Sequence, residues 1–138
     1  MDRNKVQALI CLLDDPSEEV YSTVEGELLK EEVDIVPDLE KAWESTGDAV
    51  YQRRLENLIH TLQFKDLKAR MRNWLSVSED DLLYGVYLVA RYQYPELRYE
   101  DIDRKVNAIR KDVWLELNDH LTALEKVRII NHILFDVH

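Results

Sequence analysis

Glycine, proline and cysteine are all scarce in this chain of 138 residues, which holds three of the first, three of the second and one of the third. So few turn-formers exclude a β-rich fold, which needs a tight turn between most of its strands. A lone cysteine, Cys11, excludes an internal disulfide. Its Ile10-Cys11-Leu12 setting reads as a small buried apolar residue and not as a nucleophile, which would need an accessible place beside a base. Positive charge is short as well, with 18 Lys and Arg against 28 Asp and Glu and a net charge of −10. That balance argues against nucleic acid, whose phosphates need concentrated cations, and against an anionic membrane surface. No apolar run approaches the roughly 20 residues that cross a bilayer. The first residues pass straight into an amphipathic pattern that ends at Asp14-Asp15, with no small-residue cleavage site, so no secretory signal is expected. With 46% hydrophobic residues spread along the chain, the expectation is a soluble, acidic, cytoplasmic globular domain.

The apolar period is helical wherever it is clear. Val6, Leu9, Ile10 and Leu13 form the stripe of a first amphipathic helix. Asp15-Pro16-Ser17-Glu18 reads as a restart, with Asp15 as the cap and Pro16 at the first helical position. The helix that follows carries Val20, Tyr21, Val24 and Leu28 and ends near Lys30. Gly26 inside it means either close packing or simple tolerance. A third helix is expected from about Asp34, with Pro37 in its first turn, presenting Ile35, Val36, Leu39, Ala42 and Trp43 and stopping at Ser45-Thr46-Gly47. Asp48 caps a fourth, with Tyr51, Leu55, Leu58, Ile59 and Leu62 on one face. Residues 49–75 fit one long helix or two with a break near Gln63-Phe64.

Ser78 and Asp81 open the next helix, through Leu82, Leu83, Val86, Tyr87 and Ala90 to Tyr94-Pro95. Another covers roughly Tyr99 to Leu117, with Ile102, Val106, Ile109, Val113, Trp114 and Leu117 inward. Thr122-Ala123-Leu124-Glu125 fits a capping box and starts the last, which carries Leu124, Val127, Ile130, Ile133 and Leu134. The expected fold is all-α with seven or eight helices: helical hairpins in a right-handed α-α superhelix over 1–76, then a helical bundle over 77–138, together one compact unit.

The first half aligns with itself at an offset of 30 residues. Val6 falls on Val36, Leu9 on Leu39, Leu13 on Trp43, Val20 on Val50, Tyr21 on Tyr51, Leu28 on Leu58 and Leu29 on Ile59. Apolar positions and breaks matching together are the mark of a helical-pair repeat, although any two amphipathic hairpins align to some degree. The onsets Ser17-Glu18-Glu19-Val20-Tyr21 and Gly47-Asp48-Ala49-Val50-Tyr51 resemble those of HEAT-like repeats, with Tyr21 and Tyr51 where that family has arginine, in a shorter unit.

Chemistry is sparse. Gly26, Gly47 and Gly85 are too dispersed for a phosphate loop, and no GxSxG, HExxH or paired CxxC occurs. The doublets Asp14-Asp15, Glu18-Glu19, Glu31-Glu32 and Asp80-Asp81 sit at turns and helix starts, where carboxylates complement the helix dipole. No catalytic constellation and no cofactor are expected of this chain. One alternative is a metal-dependent enzyme or regulator using His132, Asp136 and His138, a poor set for Zn²⁺, which takes four ligands. A second is weak nucleic-acid binding through the basic stretch 53–72, with Arg53, Arg54, Lys65, Lys68, Arg70 and Arg72. Five tyrosines stand out. Tyr84 and Tyr87 are spaced for packing, whereas Tyr92, Tyr94 and Tyr99 flank the Pro95 turn and suit either core or contact surface.

The stretches Leu88-Val89-Ala90-Arg91-Tyr92-Gln93-Tyr94-Pro95-Glu96-Leu97 and Ile130-Asn131-His132-Ile133-Leu134-Phe135 resemble the N-terminal helical region of bacterial transglutaminase-like proteins of the SirB type. There a segment ending YP-x-L and a later L-x-x-L-N-x-x-L-F lead through a Gly-Phe turn into a thiol-protease-like domain. The resemblance covers residues 77–138 best and implies an excised, non-catalytic helical domain that packs on a transglutaminase-like domain absent from this chain. Asp136-Val137-His138 stands where the Gly-Phe turn would follow, so no catalytic residue of the family carries over. The contact surface expected is Tyr92, Tyr94, Tyr99, Asn131, His132 and Phe135, and the overall acidity suggests a basic or mixed protein partner.

Overall fold

A computed structural model of the chain describes residues 3–77 and 80–137. Among these the chain is all-α, with seven α-helices and no strand. It divides into two compact units, Met1–Asp80 and Asp81–His138.

The first unit holds α1 (Arg3–Leu12), α2 (Glu18–Leu28), a 3₁₀ turn (Val33–Ile35), α3 (Val36–Ser45) and α4 (Ala49–Val77). Helix α1 packs on α2, α3 on α4, and α1 on α3. Eleven apolar side chains are buried as one core, drawn from every helix: Val6, Ile10, Leu13, Val24, Leu28, Ile35, Val36, Leu39, Leu55, Leu58 and Leu62. The pairs aligned at an offset of 30 share burial at Val6/Val36 and Leu28/Leu58, and Tyr21 and Tyr51 both pack against the core. They part at Leu13/Trp43, where Leu13 is buried and Trp43 is exposed with its Nε1–H donating to Glu56 Oε1 (3.0 Å). Val50 is exposed as well, where Val20 packs on the core.

The local signals act where they stand in sequence, with one shift. The cap of α2 is Ser17, which accepts from the Val20 N–H, while Asp15 Oδ1 accepts from the Ser17 N–H (2.8 Å). The helix thus starts two residues later than a Pro16 first position would give. Pro37 lies in the first turn of α3. Asp48 Oδ1 accepts from the N–H groups of Val50 and Tyr51, both at 2.8 Å, and α4 then runs unbroken for 29 residues. At 1.5 Å per residue α4 is about 44 Å long, whereas α1, α2 and α3 have ten or eleven residues each. The difference explains why α4 buries nothing beyond Leu62. Cys11 is exposed and not buried: Val6, Ile10 and Leu13 take the inward face of α1, and the next residue after Ile10 is rotated about 100° away.

Two basic residues of α4 bind the open carbonyl ends of its neighbours. Arg54 Nη1 donates to the carbonyls of Leu13 (2.9 Å) and Asp15 (2.7 Å), just past the end of α1. Its Nη2 donates to Glu18 Oε1 (2.9 Å) in the first turn of α2, and the guanidinium lies 4.2 Å over the Tyr21 ring. Eleven residues on, Lys65 Nζ donates to the carbonyls of Leu29 (2.9 Å) and Glu31 (3.3 Å), past the end of α2. Neither α1 nor α2 has a basic residue in its own last turn, so the cation that complements a helix C-terminus comes from across the core. Burial, with a hydrogen bond to Glu25, pushes the Tyr21 phenol up to about 12, while Arg54 pulls against it.

The second unit holds α5 (Leu82–Gln93), α6 (Tyr99–Glu116), α7 (Ala123–His132) and a closing π-helical turn, Ile133–Val137. Asp81 caps α5 by accepting from the Tyr84 N–H (3.0 Å); Ser78, the other expected opener, lies outside the described residues. The Thr122–Glu125 capping box is formed in both directions. Helix α6 packs on α5, on α7 and on the π-helical turn. The apolar positions turn out differently from expectation, because α5 is apolar on both faces and only one is covered. Tyr87 and Leu88 are buried, and Leu82 and Val86 are exposed. On the later helices Val106, Trp114, Leu124, Val127 and Leu134 are exposed too, with Ile133 buried.

Substitutions at two positions test this description by urea unfolding. Nothing lies within 4 Å of where a Cβ on Gly26 would stand, and its φ is not positive. Gly26→Ala is therefore expected to raise stability by about 0.5–1 kcal/mol. Arg54→Ala strands two carbonyls and Glu18 and should cost about 2–4 kcal/mol. Arg54→Lys should recover only part of that, because an ammonium has no fork to span all three acceptors.

Candidate interaction surface

The six residues singled out from the sequence separate into two places and one exception. Tyr92 and Tyr94, at the end of α5 and in the turn after it, are 68% and 64% exposed. Asn131, His132 and Phe135 are exposed at the end of α7 and in the π-helical turn, Phe135 the most at 80%. Tyr99 is the exception: it is half-buried, its ring packed against two other tyrosines. Its ring centroid lies 5.4 Å from that of Tyr84 and 5.4 Å from that of Tyr87, both edge-on, and Tyr84 and Tyr87 are 5.7 Å apart. The Pro95-Glu96 turn carries the first residue of α6 back over α5, where the Tyr99 ring meets both others edge to face, an attractive arrangement. Partial burial, with the carboxylates of Asp81 and Asp103 close by, pushes the Tyr99 phenol up.

Helices α6 and α7 and the π-helical turn enclose an open groove of about 520 Å³. Leu115, Ile129, Ile133 and Val137 give it an apolar lining, and Arg128 and His132 are polar groups on its α7 side. His132 Nδ1 and Asp136 Oδ2 are 2.7 Å apart, one helical turn from each other. His138 lies outside the described residues; the two described members of the trio considered for a metal are this exposed pair. Among the described residues no group of three or more His, Cys, Asp or Glu is clustered for a metal ion. Nor is any helix there long and apolar enough to cross a membrane.

The basic stretch 53–72 does not act as one patch. Arg54 and Lys65 are spent on the carbonyl ends of α1 and α2, and Arg70 pairs with Asp66 at 2.8 Å. No sequence rule separates these three cations from Arg53, Lys68 and Arg72, although the 11-residue spacing of Arg54 and Lys65, three helical turns, puts both on one flank. The feature missed from sequence is the uncovered face of α5, where Leu82, Val86 and Val89 recur at helical spacing and are all exposed.

No family model, curated protein or solved structure matches the chain.

Removing the Tyr99 ring is expected to cost about 2–4 kcal/mol, as for other packed aromatics. Tyr92→Ser and Phe135→Ser should each leave stability within about 0.5 kcal/mol, the range for surface changes. Denaturant midpoints of the three variants followed by near-ultraviolet circular dichroism check the sorting.

Proposed function

We propose that this chain is a non-catalytic helical scaffold, HEAT-like in its first unit, whose second unit is a protein-docking module for a transglutaminase-like domain. One observation carries the reading: the contrast in how the two units treat their apolar residues. The first unit buries eleven of them. Among the described residues the second buries Tyr87, Leu88 and Ile133, while thirteen large apolar side chains from Leu82 to Val137 stay exposed. A surface so apolar is the mark of a site that another protein covers. The aromatic share of this surface suits it to docking, since Tyr, Trp and Phe supply most of the affinity at protein interfaces.

The resemblance of residues 77–138 to the helical region in front of SirB-type transglutaminase-like domains supports the choice of partner. In that arrangement the end of α7 and the π-helical turn bear on the partner, with Phe135 as an anchor beside the groove that Leu115 and Ile129 line. The first unit, with its single core and its Arg54 clamp, is the scaffold part of the reading. The lone cysteine, which leaves no internal disulfide to form, supports a cytoplasmic setting.

Calorimetric titration of the whole chain with a separately produced SirB-type transglutaminase-like domain tests the reading. Micromolar or tighter binding with a negative heat-capacity change is expected. Phe135→Ser should weaken it by about ten- to thirty-fold, the loss of one aromatic anchor. Absence of binding heat, or full affinity in Phe135→Ser combined with Leu124→Ser, would defeat it.

A further inference from the structure

Helix α4 carries six basic residues and two acidic ones in a chain whose net charge is −10. Both of its carboxylates are engaged: Glu56 accepts from the Trp43 indole at 3.0 Å, and Asp66 pairs with Arg70 at 2.8 Å. Arg54 and Lys65 are turned to backbone carbonyls. Arg53, Lys68 and Arg72 are exposed and belong to no ion pair among the described residues.

The helical period places these free cations. At 100° per residue, Arg53, Asn57, His60, Phe64, Lys68, Met71 and Leu75 share a sector about 80° wide, opposite Leu55, Leu58 and Leu62, with Arg72 about 40° beyond one edge and Glu56 about 40° beyond the other. No acidic residue falls in that sector. Apolar side chains stand among the cations: Phe64 is 53% exposed and Leu75 56%, with Met71 half-buried between them. Phe64, Met71 and Leu75 are spaced seven and four apart, the spacing of a seam between two helices. From Arg53 to Leu75 the strip is about 33 Å long, six turns of helix.

We propose that this outer face of α4 binds an acidic amphipathic helix of another protein, laid along it with apolar residues on Phe64, Met71 and Leu75 and carboxylates against Arg53, Lys68 and Arg72. Charge complementarity selects the occupant. The strip is free of carboxylates in a molecule otherwise rich in them, so an acidic helix meets attraction here and repulsion over the acidic remainder of the surface. Nucleic acid fits less well. Duplex DNA presents one charge about every 1.7 Å, and three free cations spread over six turns, with apolar side chains between them, match neither that density nor a base-stacking surface. This site lies on the first unit and does not depend on the docking role given to the second.

Fluorescence anisotropy tests it with a labelled synthetic helix of about twenty residues, leucine on one stripe and glutamate on both flanks, added to the full chain. The glutamate peptide is expected to bind in the micromolar range and to weaken as salt is raised. Arg53→Glu/Lys68→Glu/Arg72→Glu and Phe64→Ser/Leu75→Ser should each lower affinity about ten-fold or more. Unchanged helical circular dichroism shows that these exposed changes leave the fold intact, and Phe135→Ser, on the other unit, should bind the peptide as the unchanged chain does. No binding, equal binding of a peptide with lysine on its flanks, or full affinity in either α4 variant overturns the proposal. So does displacement of the peptide by a single-stranded oligonucleotide at lower concentration, which would make the occupant nucleic acid, or sedimentation of the full chain as a dimer that Phe64→Ser/Leu75→Ser abolishes, which would make it a second copy.

Discussion

The first unit depends on one long helix being buried along only part of its length. Leu55, Leu58 and Leu62 are the fully buried side chains of α4, and every shorter helix of that unit contributes to the core they belong to. Apolar burial of this kind is non-directional: it brings helices together without fixing where their ends lie. The ends are fixed by polar contacts of definite geometry, and Arg54 makes three of them. One guanidinium joins the end of α1, the link after it and the first turn of α2, while Lys65 does similar work three turns further along. The hydrophobic contact supplies the drive, and the two cations supply the register.

Helix starts are the part of this fold most readable in sequence, because the signals are local. Asp48, Asp81 and the Thr122–Glu125 box each satisfy backbone N–H groups within three residues, so no knowledge of the rest of the fold is needed to see them. Which face of a helix is buried is a different matter, since it depends on what arrives from elsewhere. Val86 and Tyr87 are neighbours of similar apolar character, and only one is covered. Trp43 aligns with the buried Leu13 and yet stands at the surface, held by Glu56. Tyr99 reads as a loop residue beside Pro95 until α6 is seen folding back over α5.

The candidate surfaces follow the same division. The exposure of Tyr92 and Phe135 was legible because large aromatics beside a turn or at a helix end have few ways to be buried. The exposed stripe of α5 was not legible, since Leu82, Val86 and Val89 have the period expected of a core. For the basic stretch, composition cannot distinguish a cation spent on a carbonyl from one left for a partner. Arg53 and Arg54 are adjacent and of one residue type, and the 100° between them turns one to solvent and the other to the end of α1.

That division also qualifies what net charge means for recognition. A charge of −10 describes the molecule as seen from beyond a Debye length, about 8 Å at physiological salt. At contact, a partner meets only the groups within its reach. On α4 those are cations and apolar side chains, because the two carboxylates of the helix are drawn to Trp43 and Arg70. An acidic partner is then opposed by the overall field on approach and favoured once aligned, so the charge pattern selects for register more than for rate. The exposed surface of the second unit is of the opposite kind, apolar and aromatic, where any gain on contact would come from area removed from water and would respond little to salt. Two surfaces so different in kind would be matched by partners of different physical character.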